Sequence, residues 1–327
     1  MRAGSISDEM WDMYTSRILT PDDARLTDPS SPFARHDICF VVHRHRIRDM
    51  HSFRNAADAS RKLKVPLYVL QAKDEPVRHE DKSKFTESIK GELLRRVNPE
   101  HNKGLPSFLP LYCDMKLLLT SKDCVRFGIV KGCPCILRDI IFAEDEVLPY
   151  DCVAGQPHQL KYMPTSLLLQ AENASWTLPA TELPAGLPSD IDRRGLFQLR
   201  PCCDYFRICV DNEYISVRRT SIRALPADTI TVYAAQGGTY DAVVADMQRP
   251  PHLELSKHWL ACYVMLSRAR SLDGFLILRP ATRKELSARP PQYLLDELHR
   301  LEQWETSSLA ELFSHIKSWP MQVPPKT

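Results

Sequence analysis

Two stretches of sequence decide the fold, Thr231-Val-Tyr-Ala-Ala-Gln-Gly-Gly-Thr-Tyr-Asp-Ala-Val-Val-Ala-Asp246 and Ala261-Cys-Tyr-Val-Met-Leu-Ser-Arg-Ala-Arg-Ser-Leu-Asp-Gly-Phe-Leu-Ile-Leu278. A β-branched run leads into a polar loop that contains glycine, and a second apolar run ends at Asp246. An amphipathic helix and a further strand follow. Strands that alternate with helices form a parallel sheet. Its loops gather at one edge, where α/β proteins bind phosphates and nucleotides. We therefore predict a nucleotide-facing edge.

The composition is that of a globular protein large enough for two domains. The chain has 327 residues, of which 43% are hydrophobic and 26% are charged. The net charge of +2 neither requires nor excludes a nucleic-acid partner, so any basic surface must be local. No apolar run approaches the roughly 20 residues that cross a membrane. We therefore expect no membrane partner.

The ten cysteines predict a reduced, intracellular protein without a metal site. Several of them lie inside apolar runs, as in Ile38-Cys39-Phe40, and no Cys-x-x-Cys pair is present. No signal peptide precedes them, so disulfide bonds are not expected. If the source is eukaryotic, the expected compartment is the nucleus or the mitochondrion.

The first third of the chain predicts the start of an α/β domain. Residues 1–36 are polar and rich in turns. In the next region, 37–104, an apolar strand, a helix and a second strand at 66–71 have the length of one βαβ unit. The charged segment 73–103 then predicts a solvated, mobile connection. A short helix near Leu93, Leu94 and Val97 is possible within it.

The middle of the chain has an all-β pattern. Short apolar runs separated by turn residues fill 105–225 and predict a small barrel-like module inserted into the α/β domain. The Pro-rich segment 172–195 predicts a loop within that module. Residues 226–306 return to the α/β pattern, and 307–327 predict a C-terminal helix and tail. The predicted fold class is therefore α/β, one parallel-sheet domain interrupted by a β-barrel-like insertion.

Two features in the quoted stretches have chemistry that fits a phosphate. Glycine at 237 and 238 lets backbone N–H groups approach an anion, and Gln236 and Thr239 add neutral hydrogen-bonding groups. A tight turn would use the same glycines for their dihedral angles alone. Arg268 lies just past the apolar stripe of its helix and has two equally good explanations. It can neutralise the last carbonyls of the helix, or it can neutralise charge on a transferring phosphoryl group.

The same residues resemble motifs five and six of superfamily-one DNA helicases of the PIF and RecD type. Motif five of that family has the form Thr-Ile-His-Lys-Ser-Gln-Gly-x-Thr-hydrophobic-Asp, then Val-Val-x-Asp, which 231–246 resembles. Motif six has Tyr-Val-Ala-Leu-Ser-Arg-Ala-x-Ser-Leu-x-Gly-Leu, and Tyr263-Val-Met-Leu-Ser-Arg-Ala-Arg-Ser-Leu-Asp-Gly-Phe275 follows it nearly residue for residue. By this likeness the chain resembles the second RecA-like domain of that family.

The likeness extends over roughly residues 8–280. The sequence from Leu109 to Thr120 and Gly128-Ile-Val-Lys-Gly132 resemble the opening of the Src-homology-3-like barrel that this family inserts. Residues 37–71 resemble the strand and helix of its fourth motif, with Asn55 at a position where the family often has Asn. The barrel insertion is therefore an expectation that the resemblance implies.

The resemblance assigns roles by position. Arg268 would be the catalytic arginine that contacts the γ-phosphate, and Gln236, Gly237 and Thr239 would couple the nucleotide cleft to DNA. The candidate nucleic-acid contacts are Tyr233, Arg218, Arg219 and Asn55. Further basic candidates for a DNA track are Arg44, Arg46, Arg48 and Arg223. The chain departs from motif five where the family has His, Lys and Ser and this sequence has Tyr233, Ala234 and Ala235.

A second departure concerns the whole nucleotide site. The sequence contains no Gly-x-x-x-x-Gly-Lys-Ser/Thr loop, no acidic Mg²⁺-binding pair after a suitable strand and no Gly-Asp-x-x-Gln. The family keeps these motifs in its first RecA-like motor domain, so we expect that domain to be absent from this chain. ATP and Mg²⁺ would then bind only when a first motor domain is supplied in cis or in trans. The expected nucleic-acid partner is single-stranded or forked DNA.

Three functions remain open on the sequence alone. The first is the C-terminal half of an ATP-dependent helicase, which supplies the arginine finger and part of the DNA track but does not hydrolyse ATP alone. The second is a degenerate helicase-derived module that binds nucleic acid or protein without catalysis. The third is a generic α/β binding protein with a misleading resemblance.

Overall fold

The computed structural model describes residues 5–96, 103–121, 125–148, 153–185, 187, 191–210 and 212–318. The helices are α1 (Asp8–Thr15), α2 (Pro32–Arg35), α3 (His45–Leu63), α4 (Glu87–Leu94), α5 (Val232–Ala235), α6 (Leu255–Leu266), α7 (Arg283–Leu286) and α8 (Gln292–Ser318). The first eight strands are β1 (Ile38–Val42), β2 (Leu67–Gln71), β3 (Lys73–Pro76), β4 (Phe108–Leu111), β5 (Lys116–Leu119), β6 (Pro134–Ile141), β7 (Pro157–Gln159) and β8 (Ser166–Ala171). The others are β9 (Leu196–Leu199), β10 (Cys202–Val210), β11 (Glu213–Ser221), β12 (Ala224–Pro226), β13 (Thr229–Thr231), β14 (Ala242–Asp246) and β15 (Phe275–Arg279). No helix in this described part is long and apolar enough to span a membrane.

A four-stranded parallel sheet in the order β13-β1-β14-β15 forms the α/β part. All five residues of β14 are buried, as expected for a central strand covered on both faces. On one face Val243 and Ala245 pack with Cys262 and Met265 of α6. On the other face Val244 packs with Phe33 and its neighbours in the N-terminal segment.

The segment between β1 and β13 forms three further sheets. The strands β12, β5, β6, β8 and β9 make a five-stranded antiparallel sheet, and β10 and β11 make a hairpin that is joined by β3. The core of the five-stranded sheet is aliphatic, with Leu117, Leu137 and Leu169 fully buried. The predicted fold class, a parallel-sheet domain interrupted by a β insertion, is therefore confirmed.

The predicted βαβ unit at 37–71 is wrong in its strand pairing. Strand β2 does not join the parallel sheet; it pairs antiparallel with β4 and parallel with β7. The reason is packing, because Leu67 and Leu70 belong to the same core as Leu109 and Leu111. Helix α3 therefore leads the chain from the parallel sheet into the inserted β module.

The charged segment 73–103 was predicted to be a mobile connection, and its described part is ordered. It contributes β3 to the hairpin sheet, and it contributes α4. Phe85 and Leu93 pack with Phe206 and Ile215 of the hairpin. The predicted helix is present through Leu93 and Leu94, whereas Val97 lies outside the described residues. A few buried apolar side chains thus anchor a segment whose composition is mostly polar.

A buried ion pair holds this segment to the hairpin. The Arg219 side chain is 0% exposed, and its Nε and Nη2 atoms donate to the two Asp74 carboxylate oxygens, each at 2.7 Å. Its Nη2 also donates to the Leu93 carbonyl at 2.9 Å and its Nη1 to the Ser107 hydroxyl at 3.0 Å. Since every donor direction is used, the guanidinium is compensated in the interior. Arg219 thereby ties β3, α4 and the segment before β4 to β11.

We predict that Asp74→Ala lowers the free energy of unfolding by about 3–5 kcal/mol, because it leaves the Arg219 charge buried and unpaired. Urea unfolding measures this change. Glu75→Ala is the matched control, since Glu75 is the adjacent acid of the same strand and pairs with Lys73 and Arg218 at the surface. Its loss should cost no more than about 1 kcal/mol. Equal losses in the two variants would contradict a structural role for the Arg219 pair.

Candidate functional site

The two motif loops lie side by side at the amino ends of parallel strands. The segment 236–241 directly precedes β14, and the segment 267–274 directly precedes β15. Between them the Tyr240 N–H donates to the Arg268 carbonyl and the Arg270 N–H donates to the Tyr240 carbonyl, both at 2.9 Å. These bonds extend the parallel pairing beyond the strands. The sequence predicted a nucleotide-facing edge without specifying which one, and these two loops lie at the amino edge, whereas α/β proteins usually bind nucleotides at the carboxyl edge.

Gly274 permits this close approach, and Gly237 permits a turn in the first loop. A Cβ atom at Gly274 would lie 2.0 Å from the Asp241 carbonyl oxygen, so any side chain there would push the two loops apart. The Gly274 carbonyl accepts a hydrogen bond from the Val243 N–H at 2.8 Å, which starts the β14–β15 ladder. Gly237 has a φ of +85°, a left-handed conformation that glycine adopts without strain. The glycine pattern of the site therefore serves backbone geometry.

Arg268 fastens the two loops together through its side chain. Its Nε donates to the Val264 carbonyl at 3.0 Å, in the last turn of α6, and its Nη2 donates to the Ser267 hydroxyl at 2.8 Å. Its Nη1 donates to the carbonyls of Gly238 at 2.8 Å and Ala235 at 3.3 Å. The side chain thus binds one carbonyl in the last turn of α6, which fits one of the two roles left open by the sequence. Contact with a γ-phosphate stays a prediction.

The other residues predicted around Arg268 lie on the same loop and face solvent. Gln236, Gly237 and Thr239 are exposed, and Tyr233 is 82% exposed on α5, just after the carboxyl end of β13. The hydrogen bond from Arg268 to the Gly238 carbonyl therefore ties Arg268 to the loop that carries these residues. Tyr233 is connected to them by a single short helix.

The predicted nucleic-acid contacts are spread over three places. The Asn55 amide donates to the Asp228 carboxylate at 2.5 Å, which joins α3 to the start of β13. The Arg218 side chain is half-exposed and pairs with Glu75. Arg219 is fully buried and has no guanidinium surface left for DNA, so it is withdrawn as a nucleic-acid contact. Arg218 and Arg219 are neighbours in the sequence, but successive residues of a strand face opposite sides of the sheet. The sequence therefore did not show that only one of them is buried.

Sequence reasoning missed Tyr240, Asp241 and Gly274, which make the contacts between the two loops beside Arg268. Burial raises the pKa of Tyr240 to about 12, so its hydroxyl stays protonated at neutral pH. Asp241 pairs with Arg270 at 2.7 Å, a second link between the loops. The Asp-Gly dipeptide before β15 was the available signal, since glycine before a buried strand often marks a close backbone approach.

The carboxyl edge of the same sheet holds packed ionisable groups. Asp246 is buried and pairs with Arg279 at the end of β15. The imidazole rings of His43 and His258 lie 5.3 Å apart. Burial, assisted by His258, lowers the pKa of His43 to about 4, so this ring is neutral at pH 7. Within the described residues, no group of three His, Cys, Asp or Glu side chains is arranged to hold a metal ion.

We predict that Gly274→Ala destabilises the fold by at least about 2 kcal/mol, because the new methyl group overlaps the Asp241 carbonyl and separates the two loops. The measurement is the free energy of unfolding in urea. Gly91→Ala in α4 is the matched control, since a Cβ there meets no atom within 4 Å. That variant should gain about 0.5–1 kcal/mol from helix propensity. A Gly274→Ala protein as stable as the parent would refute the close approach.

Comparisons of sequence found no match, either among protein-family profiles or among curated proteins. Comparison of structures finds Pif1 helicases. The Candida albicans Pif1 helicase superposes with a TM-score of 0.54 at 15% identity, over 92% of this chain and 55% of that one. Bacteroides Pif1 bound to single-stranded DNA gives 0.50 at 13% identity, over 92% and 51% of the two chains. The Bacteroides helicase in complex with ADP-AlF3 and single-stranded DNA gives 0.52 at 14%, over 93% and 52%.

These similarities concern the fold and only part of each helicase. The chain spans about half the length of the Pif1 structures that it matches. Nearly all of this chain takes part in each superposition, so the parallel sheet and the β insertion are both included. This chain therefore has the fold that makes up about half of a Pif1 helicase.

Proposed function

We propose that this chain is the C-terminal half of a PIF- or RecD-type DNA helicase and supplies one face of a composite ATP site. The observation that carries the proposal is the pairing of the two loops through Tyr240. It puts Arg268 and the exposed Gln236, Gly237 and Thr239 on one surface at the amino edge of the sheet. Helicases of this type close such a surface against the nucleotide held by the first motor domain.

The proposed role of Arg268 requires its guanidinium to exchange partners. In the chain by itself, Nη1 is bound to the neutral carbonyls of Gly238 and Ala235. An anion adds a charge–charge attraction that a neutral carbonyl lacks, about 4 kcal/mol for unit charges 4 Å apart at an effective dielectric constant of 20. A γ-phosphate placed at this surface would therefore compete well for the same donors. Arg268 would then stabilise the charge that develops during phosphoryl transfer.

The rest of the ATP site has to come from elsewhere. The chain has no phosphate-binding Gly-x-x-x-x-Gly-Lys-Ser/Thr loop, and its described residues contain no metal-ligand cluster. ATP and Mg²⁺ would be held by a first motor domain, in the same polypeptide or in a partner. Without that domain Arg268 has no phosphate to act on, so no hydrolysis is expected from this chain alone.

Tyr233 supports a place on the DNA track. The ring is 82% exposed at the carboxyl side of β13, close in sequence to the coupling loop. An exposed aromatic ring can stack on any base of a single strand, which contributes about 1–3 kcal/mol per base. Single-stranded or forked DNA is therefore the proposed nucleic-acid partner.

A binding module without catalysis is the second candidate. Two observations favour it: Ala234 replaces the lysine of motif five, and the Arg268 guanidinium donates four hydrogen bonds to acceptors of this chain. Such a module would bind nucleic acid or protein and gain nothing from a first motor domain. The two candidates differ in one property, which is the dependence of ATP hydrolysis on Arg268.

We predict that the chain hydrolyses ATP on single-stranded DNA only when it is combined with a first motor domain that carries the phosphate-binding loop. Arg268→Ala should then lower kcat by about 10³-fold, the effect of losing an arginine finger, with little change in KM. The measurement is steady-state ATPase kinetics at saturating DNA.

The matched control is Arg270→Ala, which removes a neighbouring arginine that pairs with Asp241 at the surface. It should reduce kcat by less than about tenfold, since the loop remains held by Arg268 and by the Tyr240 backbone bonds. The free energy of unfolding of both variants, measured in urea, shows whether a loss of activity comes from the missing arginine or from a destabilised loop. Full activity of Arg268→Ala in the paired assay would disprove the finger and favour the binding module.

A further inference from the structure

A cavity of about 790 Å³ lies in the β insertion, apart from the motif loops. It is bounded by β3, by the segment 82–94 and by the segment 159–163. None of the residues at 236–241 or 267–274 lines it. Its volume falls within the range of roughly 300–1,000 Å³ that is typical of ligand sites. The four lysines of its lining are Lys73, Lys82, Lys90 and Lys161.

The cavity is positive because its carboxylates are already paired. The acids in the lining are Asp74, which is bound by buried Arg219, and Glu75, which is bound by Arg218 and Lys73. In the described part of the chain, Lys82 and Lys161 form no ion pair. The lining thus includes two lysines that no ion pair neutralises, while the nearby Glu146 carboxylate accepts hydrogen bonds from the backbone N–H groups of Lys161 and Tyr162. Such an arrangement attracts an anion.

The remaining lining is apolar and aromatic. Phe85, Leu94 and Met163 contribute apolar surface, and Tyr162 is 38% exposed. The Lys161 ammonium lies 5.1 Å from the centroid of the Tyr162 ring. An inorganic anion would use the lysines and leave this surface uncovered. A ligand that joins a phosphate to a flat ring would use both.

Two of the elements that line the cavity are held together by Arg219. Its guanidinium is bonded to Asp74 of β3 and to the Leu93 carbonyl of α4. Phe85 packs into the hairpin core together with Leu93. A cavity held in this way loses little conformational entropy on binding.

We propose that this cavity binds a nucleoside phosphate, either as one unit of a single-stranded nucleic acid or as a free nucleotide. Lys82 and Lys161 contact the phosphate, and the base lies against Tyr162 and Met163. In its strand form the proposal rests on the proposed DNA-binding function. It does not depend on Arg268, so the ATPase result and the binding result can fail separately.

The test compares two double variants of the full chain. Lys82→Gln/Lys161→Gln removes the unpaired cavity lysines, and Lys62→Gln/Lys131→Gln removes two exposed lysines outside the cavity lining. Fluorescence anisotropy measures binding of a labelled 12-nucleotide oligo-dT and of a fluorescent ADP analogue without Mg²⁺, at increasing NaCl concentrations. A third variant, Lys82→Arg/Lys161→Arg, keeps the charge, and urea unfolding checks that all three variants fold.

The cavity variant should bind oligo-dT at least about fivefold more weakly at 50 mM salt. Its slope of log K against log salt should fall in magnitude by about 0.7, because the two lysines neutralise one phosphate of the strand. The control and the arginine variant should bind nearly as the parent does. A loss confined to oligo-dT identifies a strand, whereas a loss of ADP-analogue binding identifies a free nucleotide. If neither probe distinguishes the cavity variant from the control, the proposal is wrong.

Discussion

The backbone hydrogen bonds of Tyr240 hold the candidate site together. They join the loop before β14 to the loop before β15 beyond the point where the two strands begin. The pairing is possible because Gly274 carries no side chain, since a Cβ atom would meet the Asp241 carbonyl. Arg268 then bridges the same two loops through its side chain. The position of the proposed arginine finger is therefore set by the parallel sheet.

Three arginines show how their acceptors decide what each can do. Arg219 is bound to the buried Asp74 carboxylate. If the Arg219 guanidinium left this partner, both charges would be unpaired in the interior. Arg218 is half-exposed at the surface, where its pair with Glu75 is worth little. Arg268 lies between these cases, since its acceptors are neutral oxygens that an incoming phosphate can replace. A residue with these acceptors is held in place and yet can change partners.

The sequence predicted the strands and the fold class because continuous apolar runs mark buried parallel strands. The run at 242–246 is an example, with every residue buried. The pairing of β2 was missed, since its partners, β4 and β7, are remote in sequence and its own pattern fits either sheet. The order in 73–96 was missed for a similar reason. It depends on the long-range pair of Asp74 with Arg219, which no local composition reveals.

The sequence pointed to some residues of the candidate site but not to the contacts that hold them. The motif resemblance pointed to Arg268 and to Gln236, Gly237 and Thr239, and the structure brings these residues to one surface. The sequence did not specify which edge of the sheet the loops occupy, because the strand pairing that decides this is not visible in the local pattern. The burial of Arg219 was not predicted either, because its partner Asp74 is remote in the sequence and no local pattern indicates the pair.

The central claim is that Arg268 changes partners when a first motor domain presents a nucleotide. The most direct measurement is the NMR signal and hydrogen exchange of the Arg268 Nη1 protons, which donate to the Gly238 and Ala235 carbonyls in the chain by itself. Exchange should be slow in the isolated chain. The signal should shift when the first motor domain and an ADP–aluminium fluoride complex are added, while that of buried Arg219 stays constant. An Arg268 signal that stays unchanged when domain and nucleotide are bound would contradict the claim.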